Sequence, residues 1–306
     1  MRSIPAVPVF TRTDLRALGW SDSAISRAAR AGRLIRLRRD LFTAAEHQHA
    51  VTMAAVASCR NSVASHRSAL AIHGLPIVGP RLAVPELTVP PRGTGSLRAA
   101  HLYRASLPDE HITQVAGVPV TTVARTLVDV GRDLAHVAAV AAIDAALHAN
   151  LVDESDIADV LLRCWNWPGI GRAQHAMRAS DRRADSPLES VSRLVIARLG
   201  LPHPEPQVTI LDQHLRIVAQ ADFYWDEFGV IGEADGRSKY DDRSVLTAEK
   251  DRQELLEDLG LVAVRWGWSL AWRRPLILAE RIERAFERGR LRDRSGFRRL
   301  WSVAER

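Results

Sequence analysis

DFYWDEFGVIGEADGRSKYDDRSVLTAEKDR, residues 222–252, is the stretch on which the reading of this chain turns. It opens on Asp222, runs through apolar residues to a polar break at Trp225–Phe228, and reaches Glu233-Ala234-Asp235-Gly236. Two apolar runs joined by a short break read as a hairpin. Hairpin strands lie side by side, so Asp222 and Glu233 are expected to meet on one edge of a sheet. Asp235, two residues past Glu233, falls on the same strand face. The stretch also holds Lys239 and Lys250, the only lysines among 42 basic residues. A chain that writes nearly every basic position as Arg keeps Lys where Arg cannot replace it. The ammonium is compact, shifts its pKa and gives up a proton, whereas the guanidinium is planar and always charged.

The elements around this stretch follow in order. Ser186-Pro187 opens a helix over Pro187–Leu199, a cap followed by proline at the first helical position. Strands are expected at Pro206–Leu211, Arg216–Tyr224 and Gly229–Asp235. A helix follows at Val245–Leu259, ended by Gly260, then a strand at Leu261–Trp266. A last helix, Pro275–Arg288, precedes a basic tail. The order is helix, three strands, helix, strand. Asp222, Glu233 and Asp235 are the expected metal ligands, because carboxylates suit Mg²⁺ or Mn²⁺. Glu189, one turn into the preceding helix, is expected at the same edge. Lys239 or Lys250 would stabilise charge that develops in a transition state. The other reading is that these acids are solvated strand ends or partners of nearby arginines.

Residues 1–43 carry nine Arg against three Asp, with no Glu or Lys, so the whole net charge of +6 sits there. A basic module on a neutral body points to an anionic polymer. Thr11 or Thr13 caps a first helix carrying Leu15 and Leu18, and Gly19-Trp20 turns the chain. Ser21 caps a second helix, Asp22–Ala31, ended by Gly32. With Ile25, Ala28 and Ala29 inward, Ser23, Arg27 and Arg30 lie on the outer face. Residues 33–43 read as strand, turn at Arg39-Asp40 and return strand. Helix-turn-helix plus hairpin is a winged helix. Its second helix would enter the major groove of double-stranded DNA, and Arg36, Arg38 and Arg39 would meet phosphates.

Between these parts, 46–180 reads as mixed helix and strand. Helices are expected at His49–Ser58, His66–His73, Thr122–Gly131, Ala135–Ala149, Glu154–Cys164 and Gly171–Ser180. Strands are expected at Arg81–Pro90 and Leu97–Ala105, joined by a turn at Pro90–Gly93. Residues 165–169, WNWPG, break the chain. The histidines 66, 73, 101 and 111 look scattered, which leaves spacing and homodimer formation as the roles of this block. The expected class is therefore α+β multidomain: winged helix 1–45, mixed region 46–180, and an αβββαβ domain 181–306. Apolar content of 46% and charged content of 25% suit a soluble chain. No apolar run is long enough for a membrane span, and MRSIPAVPVF is too short and proline-broken for a signal peptide, so the cytoplasm is expected.

Asp222, Glu233-x-Asp235-Gly236, Glu249-Lys250-x-Arg252 and the strand ending Val264-Arg265-Trp266 together resemble the PD-(D/E)xK nuclease superfamily. The nearest branch is that of very-short-patch repair endonucleases and DUF559-like domains. That resemblance implies a restriction-endonuclease-like core and Mg²⁺-dependent DNA cleavage. The superfamily expects Lys two residues after the second acid, where this chain has Asp235; Lys239 or Lys250 would stand in. The N-terminal two thirds carry FTRTDL from Phe10, GRLIRLRR from Gly32, ASHRSAL at 64–70 and TVARTLVD at 122–129. These resemble AbiEi-type antitoxins of type IV toxin–antitoxin systems. That likeness implies a winged helix that represses its own operon, and a cognate toxin as partner. Two functions are compatible with these likenesses: a DNA-targeted nuclease, or a non-enzymatic antitoxin-type repressor with a degenerate nuclease fold.

Overall fold

The computed structural model describes residues 9–44, 49–80, 82–92, 100–236, 252–294 and 298–300, and only the backbone of Arg38 and of 298–300. Lys239 and Lys250 lie outside the described residues, as do the side chain of Arg38 and the start of the helix expected from Val245. The chain divides into two compact units: Met1–Ala142 with Asn150–Arg178, and Ile143–Ala149 with Ala179–Arg306.

In the first unit β1 (Phe10–Thr11) leads into α1 (Arg12–Ala17). Thr11 rather than Thr13 is the cap. Its Oγ accepts from the Asp14 N–H at 3.2 Å, and Asp14 accepts from the Thr11 N–H at 2.7 Å. Ser21 caps α2 (Asp22–Arg30) by accepting from the Ala24 N–H at 3.2 Å. β2 (Leu34–Arg38) and β3 (Leu41–Ala44) form the expected hairpin, with Asp40 at φ 63° in the turn. β1 joins them in the order β1-β3-β2. Phe10, Leu15, Trp20, Ile25, Ala28, Leu34 and Phe42 make the core. Trp20, placed in the turn by the sequence, drives its indole into this core instead. Each such side chain contributes about 1.5–3 kcal/mol of burial, enough for a small module to hold its helices in register.

The rest of this unit follows as α3 (Ala50–Ser58), β4 (Val63–Ala64), α4 (His66–Ile72), β5 (Glu86–Val89), β6 (His101–Arg104), β7 (Ile112–Val115) and β8 (Val118–Thr121). Then come α5 (Val123–Asp133), α6 (His136–His148), α7 (Glu154–Arg163) and α8 (Ile170–Arg178). The strands order as β6-β5-β4-β8-β7. The expected turn at Pro90–Gly93 does not join a hairpin. β5 and β6 pair in parallel, Glu86 with His101 through Val89 with Arg104, and a tight turn connects only antiparallel neighbours. The hairpin β7–β8 escaped the sequence reading. Its turn places Ala116 at φ 51° and Gly117 at φ 75°, the both-positive geometry that matches strand twist. α5 is buried along nearly its whole length, including Arg125, Thr126 and Asp129. Only a helix that solvates its polar groups internally survives that burial.

The second unit contains the end of α6, α9 (Pro187–Arg198), β9 (Glu205–Leu211), β10 (Ile217–Trp225), β11 (Val230–Ala234), α10 (252–258), β12 (Val262–Trp266), α11 (Pro275–Arg290) and β13 (Arg298–Leu300). Its sheet runs β12-β11-β10-β9-β13. β9, β10 and β11 are antiparallel, and β12 returns parallel to β11 after α10. The order of elements is the one the sequence suggests; β13 falls where only a basic tail was expected. One sheet face buries Ile210, Tyr224 and Ile231 with Leu256 and Leu261. On the other, Phe223 stacks on Trp266 at 5.5 Å and Trp225 meets Phe286 edge-on at 5.4 Å. Gly232 makes room for these rings: a Cβ there would lie 2.5 Å from Trp266.

Candidate nucleic-acid interface and carboxylate cluster

In the N-terminal module all three acids are exposed, and each is engaged by a cap or an arginine. Asp14 is engaged in the α1 cap. Asp22 accepts from Arg12 at 3.1 Å and from Arg16 at 2.6 Å. Asp40, in the hairpin turn, accepts from Arg12 at 2.9 Å. Arg16 and then Arg12 hold the Asp22 carboxyl below its ordinary pKa. These exposed pairs contribute little stability. Their effect is geometric: Arg12 ties α1 to the start of α2 and to the hairpin turn. With Ile25 and Ala28 buried, Ser23, Arg27 and Arg30 are exposed on the other side of α2. Ser23 Oγ lies 3.0 Å from Ser21 Oγ, and Arg30 Nε reaches the Ser26 carbonyl at 3.4 Å. Arg36 is exposed on β2, and the Arg39 side chain is 91% exposed at the hairpin tip. All three acids are thus engaged within the module, and the outward surface is cationic, as an anionic polymer requires.

In the second unit the hairpin brings Asp222 and Glu233 together, but the two carboxylates meet different partners. Asp222 Oδ2 accepts from the Ala234 N–H at 2.7 Å. Burial pushes the Asp222 carboxyl up from 3.8 to about 7. The Ala234 N–H works against that shift, and the nearby Glu189, Glu233 and Asp185 reinforce it. Glu189 is buried at the start of α9. It accepts from the Asp185 N–H at 3.0 Å and from Gln207 Nε2 at 2.7 Å. Glu233 is held by two guanidinium groups. Arg252 of α10 donates to both its oxygens, at 2.6 and 2.9 Å, and Arg265 of β12 donates at 2.5 Å. Burial alone would raise the Glu233 pKa; Arg252 and then Arg265 outweigh it and hold it low. Asp235 is exposed beyond the end of β11, its N–H bonded to the Trp266 carbonyl at 3.0 Å.

This arrangement does not fit the divalent metal expected from the sequence. The oxygens of Glu233 already accept from two arginines. Asp235 is solvent-exposed while Asp222 is half-buried. Among the described residues no three His, Cys, Asp or Glu side chains gather as a metal needs. The sequence signal for the missed partners was present: Arg252 and Arg265 stand in the motifs 249–252 and 264–266. No residue pattern says that a guanidinium, not an ion, faces Glu233.

The middle of the first unit also gathers residues that looked scattered. His66 stacks on Tyr103 at 3.5 Å, and His101 meets the same ring at 4.5 Å. His111 Nδ1 lies 3.4 Å from Arg125. The stretches 64–70 and 122–129 therefore lie around one region. His73, whose Nε2 lies 2.7 Å from the Thr121 carbonyl, supports the strand end there.

Comparison with known proteins places likenesses on these parts. Residues 56–175 match the family described as AbiEi antitoxin C-terminal domain, and residues 7–45 match Transcriptional regulator, AbiEi antitoxin. Over those residues the chain is similar to AbiEi antitoxins. Two uncharacterised proteins of Mycobacterium tuberculosis, from strains CDC 1551 / Oshkosh and ATCC 25618 / H37Rv, are each 31% identical over 180 residues. The match covers 59% of this chain and 66% of each relative, so the chain spans just under two thirds of their length. No helix among the described residues is long and apolar enough to cross a membrane.

Proposed function

We propose that this protein is a non-enzymatic, antitoxin-type transcriptional regulator that binds double-stranded DNA through its N-terminal module. The observation that carries the reading is the charge arrangement of that module. Every acid is engaged at a helix cap or an ion pair, while Ser23, Arg27 and Arg30 stay exposed on α2. In this reading α2 lies in the major groove. Arg36, Arg38 and Arg39 of the hairpin meet phosphates, which position the protein without reading sequence. The likeness to AbiEi antitoxins over 7–45 and 56–175 supports the same reading. It also makes a cognate toxin and self-association through the middle region part of the proposal. In the C-terminal unit Glu233 is neutralised by Arg252 and Arg265, which supports a non-enzymatic role for that unit.

Two measurements test this on the full chain. DNA affinity measured against salt should weaken in Arg27→Ala/Arg30→Ala. The slope of log K against log salt should fall by about 2, since each phosphate no longer neutralised removes about 0.9. An unchanged slope would place the DNA elsewhere. Supercoiled plasmid should stay intact with Mg²⁺ or Mn²⁺. Nicking by the wild type that disappears in Glu233→Ala would replace this reading with the nuclease.

A further inference from the structure

The sequence singles out 64–70, 122–129 and the break at 165–169, and DNA binding by the N-terminal module uses none of them. All three line one cavity of about 860 Å³ in the first unit. That size falls in the range of small-molecule sites. It holds four arginines, 104, 125, 132 and 172, against two acids, Asp129 and Asp133. The acids are engaged. Asp129 accepts from Arg125 at 2.9 Å through one oxygen and from Arg132 at 3.2 Å through the other. Asp133 accepts from the Tyr103 hydroxyl at 2.8 Å. The Arg172 side chain is exposed and meets no carboxylate among the described residues. A surplus of guanidinium over carboxylate in a concave, low-dielectric setting selects for negative charge.

The same cavity presents flat rings. Trp167 carries the guanidinium groups of Arg125 and Arg132 at 4.6 and 4.9 Å from its ring. Its loop is clamped to α5. Arg132 Nε donates to the Pro168 carbonyl at 2.8 Å, and at Gly169, φ 81°, a Cβ would strike the Arg132 carbonyl oxygen at 2.6 Å. A glycine is therefore required for Trp167 to reach its place. On the opposite motif His66 sits at φ 50°, a left-handed backbone uncommon for any residue but glycine, and stacks on Tyr103. Arginine with flat rings is how proteins hold a phosphate together with a planar base.

We propose that this cavity binds a nucleoside phosphate, with Arg172 and Arg104 on the phosphate side and the Trp167 and Tyr103 rings lining the base side. The test is calorimetric titration of the full chain with ADP, GDP, CDP and UDP, beside adenosine, inorganic phosphate and a 5′-phosphorylated single-stranded oligonucleotide. At least one diphosphate should bind, and inorganic phosphate and the nucleoside alone should each bind at least about tenfold more weakly. Arg172→Ala, an exposed change that leaves thermal unfolding in place, should weaken that binding about tenfold, the usual loss for one charge-assisted hydrogen bond. Absence of heat with all four diphosphates overturns the proposal. So does equal binding of inorganic phosphate, binding indifferent to Arg172→Ala, or tighter binding of the oligonucleotide than of any free nucleotide.

Discussion

Asp222→Asn should make this protein more stable at pH 8 and leave it nearly unchanged at about pH 4. In the folded chain burial lifts the Asp222 carboxyl from 3.8 to about 7. Below about pH 4 both folded and unfolded chains hold the proton, and the carboxyl costs nothing. Between about 4 and 7 the unfolded chain releases its proton while the folded chain keeps it, so stability falls as pH rises. Above about 7 the full cost is present. A shift of about 3 units at about 1.4 kcal/mol each gives an upper bound near 4 kcal/mol. Asp222 is only half-buried, so solvent screening reduces this to about 2 kcal/mol. Asparagine keeps an oxygen for the Ala234 N–H, now 2.7 Å from Asp222, and brings no charge. Scanning calorimetry of wild type and variant from about pH 4 to pH 8 should show the gap open with pH, reaching several degrees in the affected transition. A variant less stable than wild type at pH 8, or a gap that ignores pH, would refute the account of Asp222.

Two other substitutions probe the same unit. Arg252→Met leaves Glu233 with Arg265 alone and should destabilise the protein by about 1–3 kcal/mol in urea unfolding at neutral pH, since a partly buried carboxylate loses its bidentate partner; a neutral effect would make that pair a surface contact. Gly232→Ala should cost about 1–3 kcal/mol by overpacking, because the added methyl meets Trp266 at 2.5 Å, and Trp266→Phe in the same chain should recover part of it.

How far the sequence could be read depended on the range of the interaction. Caps and turns are local, so Ser21, Ser186-Pro187, Gly32 and Gly260 placed helix ends within a residue or two. The hairpin carrying Asp222 and Glu233 was legible for the same reason, because a short break between apolar runs permits little else. Pairing over long separations was not. Nothing near Pro90 says that Glu86–Val89 lies parallel to His101–Arg104. β4 and β13 are two and three residues long and carry no period of their own. The histidines of the first unit looked scattered because His66 and His101 meet only on the ring of Tyr103, to which the sheet order brings His66 from far away in sequence. The charge of 1–43 was legible, but which arginines face outward was settled by Arg12 and Arg16 bonding to Asp22 and Asp40.

The register of β11 on β12 bears most on what the carboxylates do. It sets Glu233 beside Arg265, and the crossover through α10 adds Arg252. Two guanidinium groups supply the positive charge that a divalent ion would supply at that edge. Their chemistry there differs from that of an ion. A metal neutralises a carboxylate and also lowers the pKa of the water it binds. A guanidinium neutralises the carboxylate with fixed donors, stays protonated and activates no water. The pair donates three hydrogen bonds to Glu233, which fastens β11, β12 and α10 to one another. Asp222, which among the described residues accepts from the Ala234 N–H beside Glu189, Glu233 and Asp185, responds by holding its proton up to about pH 7. Arginine at 252 and 265 therefore makes this sheet edge a clasp that joins β11, β12 and α10 through one carboxylate.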